Sequence, residues 1–242
     1  AGSAWLDCIG TLQFVAGITD RVLLGTTVLI LGYRGAVQQA KSWATLDHLS
    51  QGRSIMGVGV GWMKEEFDAI GMPWDQRGER ANETLDIFQS LFADGLSSYS
   101  GRWNSFENIG FSPKPVNNHI PVWVGGHSNG AFKRTARYGD AFHAAFGSPS
   151  LLAEQWASVK SECNKIDRDV SELELTSLFR LNFSGGNLEQ GEIGGSNEEV
   201  IDQVGQYLEA GLEHAAFFVL GRGTEGRLEA ISRFAEEIAP HF

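Results

Sequence analysis

The sequence predicts a parallel α/β fold, and three observations carry that prediction. Apolar runs rich in β-branched residues recur along the chain, the longest being Val22–Leu31 (VLLGTTVLIL). Such runs mark strands buried on both faces. Stretches of helical periodicity alternate with them, and no linker interrupts the rhythm. The expectation is therefore one domain over 1–242, with a sizeable core.

Taken in order, residues from about Leu6 to Ile18 carry apolar positions at helical spacing. Val22–Leu31 follows as the first buried strand. Ala36–Ser50 reads as a helix stopped by Gly52, and Ser54–Val60 (SIMGVGV) as the second buried strand. Gln76–Ala93 is an amphipathic helix with Leu85, Phe88, Leu91 and Phe92 inward. Ser98–Val116 breaks the pattern with aromatics, Gly101 and two prolines, and reads as a hairpin excursion. A strand is expected at 121–124, a helix at 128–138 and a strand at 141–146. A helix over about 150–166 and a strand over about 173–183 come next. The polar stretch Ser184–Gly195 reads as a mobile loop that covers substrate. Ser196-Asn-Glu-Glu199 is a capping-box signature opening a helix to about Ala210. Ala215–Leu220 is the last strand and about 224–239 the last helix.

Six buried strands, each followed by a helix, fit a doubly wound sheet or a (β/α)8 barrel. Count alone favours the former; the glycine-containing strands suit a closed barrel interior. The formal charge of −11 argues against nucleic acid as a partner. Cys8 and Cys163 show no metal or disulfide spacing, which fits a reducing cytoplasm. No run of about 18 apolar residues is present to span a membrane, and the first residues lack the pattern of a signal peptide. The expectation is a soluble, cytoplasmic protein. Six scattered histidines offer no i,i+4 pair, so no metal site is expected.

The most informative stretch is Ile120–His143 (IPVWVGGHSNGAFKRTARYGDAFH). It reads as strand, glycine turn, helix and a second strand. The turn exposes backbone N–H groups that no helix carbonyl can accept, at the positive end of the helix dipole. That is a ready cradle for phosphate, and glycine removes the Cβ atoms that would hold an anion off the backbone. The candidate binding residues here are Gly125, Gly126, His127, Ser128 and Gly130. Ser128 serves as N-cap, as phosphate ligand, or as both. The competing reading is an ordinary βα turn, with His127 a surface residue. Gly221-Arg-Gly-Thr-Glu-Gly226 matches the dinucleotide fingerprint, but no strand with an acidic residue follows it. It reads instead as a barrel phosphate loop or a plain turn. Lys64-Glu65-Glu66 and Asp75–Arg80 read as solvated charge clusters. His143 is placed at the carboxyl half of its strand, where it could line a pocket.

Three stretches, Asp20–Phe92, Gly101–Val116 and Ile120–His143, resemble the luciferase-like monooxygenase superfamily. Leu46-Asp47, Ser50, Gly52-Arg53, Gly57–Trp62, Glu65–Phe67 and Lys114-Pro115 stand in the order seen in its deazaflavin-dependent branch. The resemblance runs from about Ile18 to Phe146 and implies a (β/α)8 barrel of the bacterial-luciferase type, with its insertion at about 98–116. On that template the first strand here corresponds to the family's third, and the family's first two strands are absent from this sequence.

The resemblance also implies a site. Thr27 would contact the coenzyme ring near the end of its strand, with a plain β-forming threonine as the competing reading. Gly59 and Gly61 would form a wall against which a flat ring lies, with close packing of the barrel interior as the competing reading. Trp62 would be a lid or a core residue. The implied coenzyme is the deazaflavin F420, with FMN the alternative. The implied activity is hydride transfer between the reduced deazaflavin and a small organic substrate. The alternatives are an oxygen-dependent FMN monooxygenase and a non-catalytic barrel subunit. Catalytic side chains are not identified, and a homodimer is expected.

Overall fold

The computed structural model describes residues 6–184 and 188–242. They form two compact units, Ala1–Val124 and Gly125–Phe242.

The first unit opens with helix α1 (Cys8–Ala16), capped by the Asp7 carboxylate on the Gly10 N–H. Two short strands follow, β1 (Leu24–Gly25) and β2 (Leu29–Ile30). Helix α2 (Ala36–Ser50) then leads to β3 (Ser54–Gly59), a strand buried along its whole length. Its burial matches the expectation from SIMGVGV. A short helix α3 (Lys64–Ala69) holds one of the charge clusters read as solvated, with Lys64 and Asp68 paired on its exposed face. Helix α4 (Arg77–Phe92) buries Leu85, Phe88, Leu91 and Phe92 as its periodicity predicts. The excursion is an antiparallel hairpin, β4 (Leu96–Ser100) and β5 (Ser105–Gly110). Strand β6 (Val122–Gly125) pairs parallel with β3, Met56 opposite Val122 and Val58 opposite Val124.

The first predicted strand needs correction. Val22–Leu31 is not one continuous buried strand: Val22 and Leu23 are 53% and 61% exposed, and the run divides into β1 and β2. The cause lies in the register. Leu24 faces Ser54 and Leu29 faces Val58, so five residue steps run against four on β3. The extra residue interrupts the ladder over Thr26–Val28, as a bulge does. The Thr27–Val28 peptide is cis.

The second unit contains α5 (Asn129–Tyr138), β7 (Ala141–Ala145) and α6 (Pro149–Asn164). Strand β8 (Glu174–Asn182) pairs parallel with β7 and with a short strand, β9 (Glu192–Gly194). Helix α7 (Asn197–Glu209) carries both halves of the predicted capping box at Ser196 and Glu199. It leads to β10 (His214–Val219), parallel to β8, and to α8 (Gly223–Arg233). The core gathers Phe142, Leu152, Val159, Leu175, Phe179, Val200 and Val204 between strands and helices.

Two further expectations change here. The stretch read as one loop over Ser184–Gly195 contains β9, whose Ile193 is buried opposite Leu181. A period-2 signal three residues long is too short to stand out from polar neighbours. The part of that reading at 185–187 lies outside the described residues. Strand β10 is not buried on both faces, since His214 and Phe218 are exposed.

Candidate functional site

The residues picked from the sequence fall into two groups, one in each unit.

In the first unit, Thr26–Val28 lies beside the glycines of β3. The Thr26 hydroxyl donates to the Gly57 carbonyl at 2.6 Å. A Cβ on Gly57 would stand 1.6 Å from the Thr26 carbonyl oxygen, and one on Gly59 would stand 2.6 Å from a Val28 methyl. The side-chain-free face of β3 is therefore filled by the neighbouring strand segment. This close packing accounts for the alternate glycines without a ligand. Gly61 turns the chain at φ 81°, and a Cβ there would meet the buried Phe67 ring at 2.7 Å. Phe67 in turn packs edge-on against Tyr33 and Trp74. Trp62 is 81% exposed, so it is not a core residue.

The family landmarks around them are mostly scaffold. The Asp47 carboxylate, buried on α2, accepts from the Ser54 hydroxyl and from the Val116 N–H at 2.7 Å. Arg53 donates to the carbonyls of Ser50, Val22 and Thr19, each at 2.7 Å, and ties the start of β1 to the end of α2. The Lys114 ammonium donates to the Leu91 carbonyl at 2.8 Å and closes the end of α4. These residues identify an architecture rather than a chemistry.

In the second unit the glycine turn has another character. Gly126 through Gly130 are exposed. Gly126 has φ 132°, a conformation that side chains disfavour. Ser128 is the N-cap of α5, and its hydroxyl accepts from the Ala131 N–H at 3.3 Å. The N–H groups of Asn129 and Gly130, in the first helical turn, have no helix carbonyl to donate to. A Cβ on Gly130 would meet only the Ser128 hydroxyl, at 3.7 Å. The turn thus has the room, the donors and the dipole end that a phosphate needs. His127 projects from the same exposed turn.

The other polar candidates are accounted for locally. His143 is 2% exposed, and its Nδ1 pairs with the Thr176 hydroxyl at 2.7 Å. Burial, with the nearby His214 as a lesser cause, lowers its pKa from 6.5 to about 4, so it is neutral near pH 7. Gly221 and Gly226 approach so closely that a Cβ on Gly221 would stand 2.7 Å from the Gly226 carbonyl carbon. That fingerprint-like loop is a tight turn, although a cavity lined by Arg222, Arg233 and Phe183 opens beside it. Among the described residues no group of three or more potential metal ligands occurs, and no helix is long and apolar enough to cross a membrane.

Sequence reasoning missed Glu83. This buried carboxylate accepts from the N–H groups of Arg102, Trp103 and Asn104 and from the Asn104 side chain, at 2.7–3.1 Å. Burial pushes its pKa up, but the Asn104, Trp103 and Arg102 hydrogen bonds outweigh that and leave it lowered. No local signal could have found it, because its partners lie about twenty residues away on the hairpin tip.

The family model for luciferase-like monooxygenases matches residues 2–184. An uncharacterized protein of Mycobacterium tuberculosis is 36% identical over 138 residues, 57% of this chain and 49% of that protein. Pyrimidine monooxygenase RutA of Enterobacter cloacae is 28% identical over 174 residues, 68% of this chain and 47% of RutA. The chain therefore spans about half the length of the curated relatives it matches. Among solved structures, the coenzyme F420-dependent tetrahydromethanopterin reductase of Methanopyrus kandleri superposes with a TM-score of 0.84 at 17% identity, covering 98% of this chain and 88% of that one. The monooxygenase RslO1 of Streptomyces bottropensis gives 0.86 at 18%, covering 97% and 83%. An F420-dependent secondary alcohol dehydrogenase gives 0.84 at 16%, covering 97% and 84%. These likenesses show the fold, an α/β fold of the bacterial-luciferase barrel type with mostly parallel strands. With a family model matching most of its length, the chain belongs to the luciferase-like monooxygenase family.

Proposed function

We propose that this chain is part of an oxidoreductase that binds a reduced deazaflavin coenzyme of the F420 type and directs hydride transfer to a small organic substrate. The observation that carries the reading is the turn Gly126–Gly130: an exposed, N-capped helix start with free first-turn amides and open space before Gly130. Such a turn fits the coenzyme's phosphate. When bound, the deazaflavin supplies a hydride-carrying ring. The chain's own part is binding and orientation: Ser128 and the Asn129 and Gly130 amides would hold the phosphate. The deazaflavin is chosen because the landmark order resembles that branch and two structural neighbours are F420-dependent enzymes.

A second reading has its own support. The relative RutA and the neighbour RslO1 are monooxygenases. FMN in the same turn, with oxygen as co-substrate, would make this chain part of a monooxygenase. Titration with each coenzyme, followed by ring fluorescence, separates the two. Micromolar binding of F420 with weak FMN binding supports hydride transfer. The reverse preference moves the assignment to oxygen chemistry, and binding of neither supports a non-catalytic barrel subunit.

A further inference from the structure

A cavity of about 230 Å³ in the first unit lies apart from the β3 glycines. It sits where the chain leaves β2, between the turn Leu31–Ala36, the start of α4 and the tip of the hairpin. Its apolar lining comes from Leu31, Ile70 and Met72, and one wall is the Trp103 indole.

The charge on its wall is unusual. Two cations line the cavity, Arg34 and Arg80. Arg34 is engaged with Asp7 in an ion pair. Arg80 stacks its guanidinium 4.5 Å from the centre of the Trp103 ring, and its side chain donates only to the neutral Gln76 amide among the described residues. The nearby carboxylates are committed elsewhere, Glu79 to Arg102 and Glu83 to the amides of the hairpin tip. A half-buried guanidinium with no carboxylate partner, facing an apolar pocket, is a receptor for a planar anion.

The Trp103 wall is also held rigidly. Glu83 fixes the N–H groups of residues 102–104 from the adjacent face of α4. The insertion hairpin thus runs back beside α4 and closes the cavity with an aromatic side chain whose backbone is anchored.

We propose that this cavity binds a small aromatic carboxylate, the carboxylate on Arg80 and the ring among Trp103, Leu31, Ile70 and Met72. The volume suits about ten non-hydrogen atoms, since a cavity of about 150 Å³ holds benzene. The inference stands whichever coenzyme the chain takes.

Benzoate and its neutral isostere benzamide are the probes. Binding is followed on the ¹⁵N-labelled chain through the Trp103 indole N–H signal, assigned with Trp103→Phe. Saturable shifts of that signal by benzoate, with benzamide at least tenfold weaker, are expected. Arg80→Gln should weaken benzoate about tenfold while leaving benzamide and the far-UV circular dichroism unchanged. Equal affinity for the two probes, or no shift at Trp103, overturns the proposal. The probe comparison on the unaltered chain decides the matter even if the Arg80 variant folds poorly.

Discussion

Gly57 and Gly59 on β3 and Gly126 and Gly130 around the start of α5 look alike in the sequence, as glycines within or just after apolar strands. In the structure they differ. The first pair lies under the Thr26–Val28 segment, and its missing side chains are replaced by that segment's backbone oxygen and methyl group. The second pair borders an exposed turn, where Gly130 meets nothing but a serine hydroxyl, while Gly126 holds a φ of 132° and a Cβ on it would meet that of Ala131 at 2.9 Å. A glycine is kept for one of three reasons: another part of the fold fills the space, the backbone needs a positive φ, or a ligand takes the space. Only the surrounding contacts say which.

The sharpest way to break this comparison is Gly57→Ala. With the new methyl 1.6 Å from the Thr26 carbonyl oxygen, β1 and β2 must leave the sheet. A loss of at least about 4 kcal/mol is expected, read as loss of soluble folded protein or a collapse of the thermal transition. A stable Gly57→Ala protein would show that the packing around β3 is looser than described.

The next effect tests the interior of the second unit. His143 is held neutral by burial, with a pKa of about 4 against 6.5 when exposed. Between those values the unfolded chain takes up a proton that the folded chain refuses. Stability is therefore complete above pH 6.5 and declines as pH falls towards 4, by about 3 kcal/mol. Urea denaturation across that range measures the slope. His143→Gln should flatten it, and an unchanged slope would assign the dependence to other groups.

A smaller loss is expected at Glu83→Gln. The amide keeps one acceptor but sets its NH2 against the N–H donors of the hairpin tip, at a cost of about 2 kcal/mol. Urea denaturation reads the loss. Unaltered stability would show that solvent satisfies those donors equally well.

How far the fold was legible follows from these same residues. Strands β3 and β8 and helices α2, α4 and α7 were readable because their signals are local: apolar runs, periodicity, a capping box. The break between β1 and β2 was not, because it arises from a register mismatch with β3, a strand some thirty residues away. The glycine turn was legible as a candidate because its signal is also local, a strand end followed by a helix start. Its counterpart on β3 was ambiguous, since the sequence does not say what covers a glycine. Asp47, Arg53 and Lys114 were legible as family marks but not as hydrogen-bond anchors, whose acceptors and donors come from distant segments. Arg80 and Trp103 form one wall only after Glu83 folds the hairpin tip back onto α4.

The finest test uses the open glycine. Gly130→Ala places a methyl at the second helical position, where no atom but the Ser128 hydroxyl lies within reach. Alanine is the better helix former, so stability should rise by about 0.5 kcal/mol. The same methyl protrudes into the space offered to phosphate and should weaken coenzyme binding several-fold. A gain in stability with a loss of affinity is a combination that close packing cannot produce, because a glycine retained for packing loses stability when filled. If Gly130→Ala is more stable and binds coenzyme as tightly as the unaltered chain, the phosphate must sit elsewhere. The turn would then be an ordinary helix start with glycine on it.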